Sequence, residues 1–510
     1  MSQPPITHDS SRPGSAERLD REILLLGAVF VLGAIMTVLD LTIVNVAIPT
    51  LGHEFETSIS TIQWVMTGYM LAFATVIPVT GWASERFGAK RVWLGSLLLF
   101  LVGSALAGAA WSIGSLIAFR IVQGLGAGMI IPVGQTILVQ AAGPRRIGRV
   151  MSVIGVPMLL APIFGPVLGG TLVDGVSWRW IFYLNLPVGV AAVLAARRLL
   201  PQASPQLGER LDLRGFALLS PGIALVLFGM AEAGNRGSFG STRAVVAASV
   251  GFGLIALFVW HATVRGTRAL IDLSLFARRG FAAAAALNFL LIGALFGSLI
   301  LLPLYYQLVR GESPLDVGLL LVPQGVGAAL AMPLAGWLTD RIGARVVVST
   351  GIAIAVAGIL AYTQVGATTS YAYLAAALLV LGLGIGSTVA PSMAALYQTL
   401  AREETPRATS ALNVIQRVSG AIGTALFAVV LQRAIAANVP ALHGGIEALA
   451  TLPPARHAGV ASPLADAFAT TFWLAVGLIA VALLPALLLP SRARDERPAE
   501  GAAPAKEVAA

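Results

Sequence analysis

The sequence of 510 residues contains no cysteine and few charged side chains. The absence of cysteine excludes disulfide bonds, a thiolate nucleophile and a cysteine-ligated metal site. Charged residues make up 11% of the chain, whereas the average in soluble proteins is about 25%. A soluble protein of this length would divide into two or more domains, and each would need a charged surface. The shortage of charge therefore excludes an ordinary water-soluble enzyme and indicates that the chain lies in lipid.

Sequence signals for metal or nucleotide chemistry are also missing. The five histidines show no spacing typical of metal ligands. They are His8, His53, His261, His443 and His457. The glycines within 124–128 do not follow a strand and precede no Lys-Ser/Thr pair, so they do not form a phosphate loop. We therefore expect no cofactor, no metal and no ATP hydrolysis, which leaves an ion gradient as the energy source.

Hydrophobic residues are abundant, at 57% of the chain, and the mean hydropathy is +0.84. Runs of about 20 mainly apolar residues, the length that spans a bilayer, occur fourteen times. These predicted spans are 23–49, 60–82, 92–111, 115–140, 149–173, 179–196, 213–231, 244–262, 280–308, 316–338, 345–364, 371–397, 408–432 and 467–490. The polar segment 1–22 is predicted to be a disordered cytoplasmic tail, because it lacks the apolar core of a secretory signal.

The basic residues test this topology independently, because cytoplasmic loops of membrane proteins are enriched in Lys and Arg. With both termini in the cytoplasm, the tails and alternate loops hold 25 of the 33 basic residues. The opposite loops hold 6, and Arg120 and Arg417 fall inside spans. The net charge of +9 thus reflects topology, and we expect no nucleic-acid partner. The excess of Arg over Lys is typical of GC-rich bacterial genomes, which favours a bacterial cell (inner) membrane.

One part of the sequence repeats another. Pro78, Gly81, Trp82, Glu85, Arg86, Gly88 and Ala89 recur 255 positions later as Pro333, Gly336, Trp337, Asp340, Arg341, Gly343 and Ala344. The glycine-rich run 124–128 similarly recurs as 382–386. Internal repeats of this kind are frequent in transporters. They predict a tail over 1–22, a six-helix bundle over 23–200, a linker with two extra helices over 201–279, a second six-helix bundle over 280–490 and a cytoplasmic tail over 491–510.

Five motifs resemble those of one transporter family. Segment 81–91 resembles the loop signature of the major facilitator superfamily, and segment 39–49 resembles the first-helix motif of its fourteen-spanner drug:proton antiporters. Segments 120–124, 165–170 and 178–187 are similar to the motifs of helices four, five and six in that family. The resemblance implies an all-α membrane protein with the major facilitator fold, in which two six-helix bundles and two inserted helices make fourteen transmembrane helices.

Two positions depart from the family pattern. Glu85 stands where the family usually has Asp, and Ala161 stands where the fifth-helix motif often has Gly.

Asp40 is the acidic residue that we place well inside a predicted span. An ionisable group there costs about 2.5 kcal/mol or more, which indicates a function or a partner. Arg120 lies at a similar depth in the fourth span, so the two side chains can meet. A carboxylate facing a partly wet cavity beside an Arg can exchange a proton when its surroundings change. We therefore predict that Asp40 carries the coupled proton and that Arg120 sets its proton affinity. The alternative is an ion pair that only fixes helix packing.

Polar side chains in the spans form the predicted substrate cavity. Arg417 lies near mid-membrane, with no acid at its depth in the second half of the chain. Together with Asn413 and Gln416, it either orients an anionic or polar part of the substrate or bonds to backbone carbonyls. Asn45 and Gln123 complete the predicted cavity. A single acid in the spans is compatible with monovalent lipophilic cations, while neutral drugs and anions stay open.

The repeated loops are predicted to form a latch on the cytoplasmic side that holds the outward-open state. Its residues are Gly81, Glu85, Arg86, Gly88, Gly336, Asp340, Arg341 and Gly343. The alternative is a pair of basic loops that serve only membrane topology.

In helix five, glycine and proline are predicted to give a smooth, kinked packing surface. The residues are Gly155, Gly165, Pro166, Gly169 and Gly170. In the family that they resemble, this surface prevents uncoupled leak.

The sequence thus predicts a proton-coupled exporter of hydrophobic or amphipathic small molecules that works by alternating access and is not an enzyme. A dedicated exporter of one antibiotic or metabolite, or an importer on the same fold, is the nearest alternative. A channel would need a ring of equivalent polar residues, and an enzyme would need titratable groups clustered at one depth. The sequence shows neither, and a non-transporting sensor is the more remote possibility. The expected partners are a lipophilic substrate, protons and membrane lipid, and the question of a protein partner stays open.

Overall fold

A computed structural model describes residues 21–143, 146–202, 210–439 and 454–489. The secondary structure of these residues is helical, with no strand. Thirteen helices in this part of the chain are long and apolar enough to cross a membrane. The remaining predicted span, 149–173, falls within the 29-residue helix Ile147–Gly175. The predicted all-α membrane fold is therefore confirmed. Most of the predicted tail 1–22 and all of 491–510 lie outside the described residues.

The helices fall into groups of six, two and six. The first bundle contains α1 Arg21–Glu54, α2 Thr61–Phe87, α3 Ala89–Gly108, α4 Ile113–Ala142, α5 Ile147–Gly175 and α6 Trp180–Leu199. The inserted hairpin contains α7 Leu213–Asn235 and α8 Thr242–Arg265. The second bundle contains α9 Arg279–Val309, α10 Val322–Ile342, α11 Ala344–Tyr362, α12 Tyr371–Gln398, α13 Thr405–Asn438 and α14 Gly459–Leu487. Aromatic side chains fill separate cores in the two bundles, including Trp93 and Phe100 in the first and Phe281 and Phe427 in the second.

The two copies of the sequence repeat form the same turn. Gly88 joins α2 to α3 with a φ of 86°, and Gly343 joins α10 to α11 with a φ of 89°. Glycine adopts this left-handed region without the steric cost that a Cβ atom brings. The repeat in sequence is therefore also a repeat in backbone conformation.

The second repeated run, in α4 and α12, lets helices pack at very short distances. A Cβ atom on Gly126 would lie 2.5 Å from the backbone nitrogen of Phe100 in α3. A Cβ atom on Gly384 would lie 2.3 Å from the backbone nitrogen of Ala355 in α11. Small residues at such positions allow membrane helices to approach closely. The glycines therefore set the corresponding helix contacts in both bundles.

The inserted hairpin contacts both bundles. α7 and α8 pack closely at Gly229, which has no Cβ atom. A Cβ atom there would lie 2.8 Å from the backbone nitrogen of Ala248. Trp64 of α2 stacks on Phe228 of α7 with ring centroids 6.3 Å apart, and α7 also packs along α13. Most of the apolar surface of α8 is exposed, as expected for a helix in contact with lipid. The hairpin thus covers the junction between α2 and α13.

Helix α13 extends beyond its predicted span at both ends. The span was predicted over 408–432, whereas the helix runs from Thr405 to Asn438. Residues 433–438 are mostly Ala and other residues that favour helix, so the helix continues beyond the apolar run.

Candidate proton and substrate site

An ion pair lies inside the first bundle. Arg120 in α4 donates through Nη1 to Oδ2 of Asp40 in α1 at 2.5 Å. The two residues are 0% and 1% exposed. The structure therefore brings together the acid and the base that the sequence singled out. A charge-assisted contact in such a low-dielectric environment is strong, but it also requires that the remaining polar atoms find partners.

Amide and hydroxyl groups complete the surroundings of the carboxylate. Asp40 Oδ1 accepts hydrogen bonds from Gln123 Nε2 at 2.9 Å and from Asn185 Nδ2 at 3.4 Å. Both amides also donate to Oγ of Ser104, at 3.2 and 3.0 Å respectively. Arg120 Nη1 donates to Oε1 of Gln123 at 2.7 Å. These five residues, from four helices, form one buried hydrogen-bonded network.

Sequence reasoning missed two members of this network and misplaced a third. Ser104 and Asn185 were not selected, although Asn185 lies in the sixth-helix motif segment 178–187, which is the signal that could have found it. Gln123 was predicted to line the substrate cavity, but it is fully buried beside Asp40. Residues three apart share a helix face, so Gln123 follows Arg120 into the interior. Asn45 is exposed on α1 and takes no part in the network.

The expectation that Asp40 faces a partly wet cavity is wrong for this conformation. Its side chain is fully buried, because it points at α4 and α6 within its own bundle. The donors Arg120, Gln123 and Asn185 surround its two oxygens.

Arg120 has one group without a partner. Its Nε atom donates to the carbonyl of Val65 at 3.3 Å, and its guanidinium lies 4.1 Å from the ring centroid of Tyr69. The Nη2 atom of Arg120 and the hydroxyl of Tyr69 are both buried without a hydrogen-bond partner. Buried unpaired groups of this kind are rare in native structures. They mark a place where a different arrangement of the network can gain hydrogen bonds.

The first copy of the repeated loop connects the two bundles. Arg407, in the first turn of α13, donates to the carboxylate of Glu85 through Nε at 3.0 Å and through Nη2 at 3.0 Å. Arg407 also donates to the carbonyl of Thr267, in the segment that follows the inserted hairpin. A Cβ atom on Gly81 would lie 3.0 Å from Cα of Arg407, so the helix ends are in close contact. This arrangement fits the predicted latch.

The second copy of the loop differs in its described contacts. Arg341 lies over the ring of its neighbour Trp337 at 3.9 Å, and Gly336 is buried. The side chain of Asp340 is outside the described part of the chain. Arg86 is exposed at the end of α2. Among the side chains that the structure describes, the ion pair between bundles therefore belongs to the first copy.

Further contacts join the bundles one and two turns deeper along α13. Ser410 Oγ donates to the carbonyl of Ile77 at 2.8 Å. Pro78 follows Ile77 in a short 3₁₀ segment that interrupts α2. Asn413 Nδ2 donates to Oε1 of Gln135 in α4 at 2.9 Å. These contacts close the side of the molecule that is predicted to be cytoplasmic.

Arg417 lies on the same face of α13, still deeper in the span. Its guanidinium is 4.2 Å from the ring centroid of Phe73 in α2, so it stands between the two bundles. The residue is half-buried. In the described part of the chain, Arg417 has neither an ion-pair partner nor a hydrogen-bond acceptor. The bond to backbone carbonyls, one of the two expectations for this residue, is not formed there. Gln416 lies nearby, with Nε2 3.9 Å from Sδ of Met393.

The glycines of α5 face different neighbours. A Cβ atom on Gly165 would clash with the side chain of Thr42 in α1, and one on Gly169 would lie 3.1 Å from the carbonyl of Ile43. Gly155 instead approaches Sδ of Met332 in the second bundle, and Gly170 has open space beside it. The side chain of Pro166 lies outside the described part. The motif thus packs α5 against α1 at two positions and meets the second bundle at another.

A separate polar cluster fixes the inserted hairpin. Asp212 caps α7 by accepting from the backbone N–H of Gly215 at 3.1 Å, and it contacts Nε2 of His261 in α8 at 3.0 Å. It also accepts from the backbone N–H of Leu270 at 3.2 Å. Burial opposes ionisation of Asp212, but the hydrogen bonds from Gly215 and His261 outweigh it and lower the pKa of the carboxyl. Within the described residues, no group of three His, Asp or Glu side chains has the geometry of a metal site.

The comparisons with known proteins agree with this architecture. Residues 30–424 match the Major Facilitator Superfamily. The chain is 40% identical to the "Multidrug resistance protein B homolog" of Mycobacterium tuberculosis, with 97% of this chain and 95% of that protein covered. It is 33% identical to "Multidrug export protein EmrB" of Haemophilus influenzae, with 79% of each covered. The solved structure of the human organic anion transporter MFSD10 (TETRAN) gives a TM-score of 0.60 at 15% identity, with 90% of this chain and 100% of that chain covered. The last likeness concerns the fold alone.

Proposed function

Because the chain belongs to the major facilitator superfamily, we propose that it exports hydrophobic or amphipathic small molecules in exchange for protons. Relatives that align over most of their length are named as multidrug resistance and export proteins, which supports export of drug-like compounds across a bacterial cell membrane. The topology with both termini in the cytoplasm, supported by the distribution of basic residues, is part of this proposal. The chain acts as a transporter and not as an enzyme.

The buried Asp40–Arg120 pair is the observation that carries the proton step. While Asp40 is ionised, its carboxylate balances Arg120 and accepts the amide hydrogens of Gln123 and Asn185. A proton on Asp40 removes that balance and leaves the buried Arg120 charge uncompensated, which costs about 3–5 kcal/mol in comparable sites. The protonated network therefore favours a different helix arrangement, and proton binding shifts the population of conformations.

The latch supplies the second conformational element. Contacts of Arg407, Ser410 and Asn413 with the first bundle hold the predicted cytoplasmic side closed. These contacts must break before a substrate can enter from the cytoplasm. Alternating access then consists of exchanging this set of contacts for another on the opposite side, with the state of Asp40 deciding which set is favoured.

Reconstituted vesicles provide the test of this proposal. Asp40→Asn keeps the side-chain size but cannot lose a proton at any physiological pH, so uphill transport of an exported dye driven by a pH gradient should fall to background. Asp466→Asn is the matched control, because Asp466 is exposed on α14 and makes no contact with the network. Uphill transport by Asp40→Asn at the rate of the unmodified protein would remove Asp40 from the proton step.

The breadth of the substrate range needs its own experiment. A panel of dyes and antibiotics, tested in an efflux-deficient bacterial host with and without an uncoupler, should show uncoupler-sensitive resistance to several unrelated compounds. Resistance to a single compound, or export of one metabolite alone, would instead establish the dedicated exporter.

A further inference from the structure

Two of the charged side chains deep in the spans neutralise each other, and a third does not. Asp40 and Arg120 are paired at 2.5 Å and fully buried. Arg417 lies between the bundles without a counter-charge in the described part of the chain. The three groups therefore sum to one positive charge when Asp40 is ionised.

An uncompensated guanidinium at this depth is costly in a membrane. Its five N–H groups can only donate hydrogen bonds, and Arg417 uses none of them on a described acceptor. The residue is held in place by the aromatic face of Phe73 at 4.2 Å, a cation–π contact of modest strength. Arg417 as a residue is partly exposed, and a group that binds its N–H atoms has no described protein partner to displace.

The surroundings indicate what kind of group fits. A planar guanidinium binds carboxylate, sulfonate or phosphate oxygens through two parallel hydrogen bonds. Phe73 is buried beneath the guanidinium, and the amide of Gln416 lies on the adjacent position of α13. A cationic compound, in contrast, would meet Arg417 without a free carboxylate nearby, because Asp40 is occupied by Arg120.

We propose that the substrates of this transporter include amphipathic organic anions, whose acidic group pairs with Arg417. The proposal rests on the exporter function proposed above and names the substrate class of its site. A monoanion on Arg417 brings the sum of the three charges to zero while Asp40 stays ionised. The substrate-loaded protein therefore carries no net charge between the bundles.

The same geometry connects this position to the proton site. The hydroxyl of Tyr69 is buried without a hydrogen-bond partner, and its ring centroid lies 6.2 Å from that of Phe73, the ring beneath Arg417. Tyr69 also packs under the Arg120 guanidinium at 4.1 Å. An anion that arrives at Arg417 thus changes the electrostatic field at Tyr69, next to the ion pair.

Two probes of the same shape and opposite charge test the proposal. Anthracene-9-carboxylate and anthracen-9-ylmethylammonium share one fluorescent ring system, and their binding to the purified full-length chain in detergent requires no proton gradient. We expect the unmodified protein to bind the carboxylate more tightly than the ammonium compound. Arg417→Gln should weaken carboxylate binding by roughly tenfold to a hundredfold, the loss associated with a hydrogen-bonded charged partner, with little change for the ammonium compound.

Two further variants keep the test decisive. Arg417→Lys retains the charge but not the planar fork, so it should keep the preference for the carboxylate with weaker binding, even if Arg417→Gln does not fold. Arg433→Gln, on the exposed face of the same helix, should bind as the unmodified protein does.

Three results would overturn the assignment: equal or tighter binding of the ammonium probe, no saturable binding of the carboxylate, or a carboxylate preference that survives in Arg417→Gln. Failure of this proposal can be distinguished from failure of the proton step. If only the proton step fails, Asp40→Asn transports uphill, while the protein still prefers the carboxylate probe and that preference still depends on Arg417.

Discussion

At the residue scale, hydrogen bonds hold the carboxylate of Asp40 in one buried arrangement. The carboxylate accepts from three side chains. The amide of Asn185 is the most separable of these donors, because it belongs to α6 and does not contact Arg120 directly. Its removal should therefore perturb the carboxylate without dismantling the ion pair.

Asn185→Leu is the corresponding prediction. Loss of one donor weakens the network that holds the carboxylate, so the rate of proton-driven transport should fall. The fall should be less than tenfold, since a single hydrogen bond contributes about 1 kcal/mol and a tenfold change in rate corresponds to about 1.4 kcal/mol.

Asn288→Leu provides the matched control. Asn288 is also a buried asparagine, but it lies in α9 and donates to the carbonyl of Ala284. Both variants should lower stability, whereas the rate of proton-driven transport per folded molecule should fall only with Asn185→Leu. Equal rates for the two variants would contradict the role given to Asn185.

The sequence could predict some of this network but not all of it. Asp40 and Arg120 were expected to meet because their depths in two helices agree, and depth can be counted along a sequence. Ser104 and Asn185 join the site because of the rotation of α3 and α6 about their axes, which hydrophobic runs do not determine when every face of a helix is apolar. The burial of Gln123 follows from the same rotation.

At the element scale, α13 carries the contacts that hold the predicted cytoplasmic side closed. The ion pair of Arg407 with Glu85 is 19% and 15% exposed at its side chains, so solvent weakens it, and it should contribute about 1 kcal/mol. Such an energy changes a two-state population roughly fivefold. This is enough to bias a conformational equilibrium and small enough to be broken in every transport cycle.

Arg407→Gln should therefore move the population toward the state that is open on the predicted cytoplasmic side. The measurement is the distance between spin labels on Phe87→Cys and Glu403→Cys, both exposed positions at helix ends. Because the chain has no cysteine of its own, labels attach only where they are introduced. We expect a longer distance to gain population in Arg407→Gln.

Arg341→Gln is the control for this prediction. Arg341 occupies the second copy of the repeat, where it lies over its own Trp337. It should leave the distance distribution unchanged. An equal shift in both variants, or none in Arg407→Gln, would show that the ion pair does not hold the closed state.

The repeat itself shows where sequence reasoning at this scale succeeds and stops. The matching turns at Gly88 and Gly343 could be predicted, because a turn with a positive φ favours glycine. The partner of Glu85 could not, because Arg407 is 322 residues away in sequence and lies outside both copies of the repeat.

At the scale of the whole molecule, two bundles meet through α13. The charged side chains within the spans are distributed unequally between the two bundles. The first bundle contains the Asp40–Arg120 ion pair, and the second contributes Arg417 to the interface. The repeated sequence supplies matched frameworks, while the charged residues within the spans differ between the halves. Proton handling and substrate binding can therefore reside in different bundles and communicate when the bundles move.

The central claim is that protons move through Asp40 in exchange for substrate, and proton movement itself measures this most directly. In vesicles with equal pH on both sides, a gradient of an exported compound should drive protons in the opposite direction, recorded by a pH-sensitive dye in the lumen. We expect the lumenal pH to change with the unmodified protein and to stay constant with Asp40→Asn, although this variant still equilibrates the compound across the membrane. A pH change of equal size in Asp40→Asn, or transport by the unmodified protein without any pH change, would contradict it.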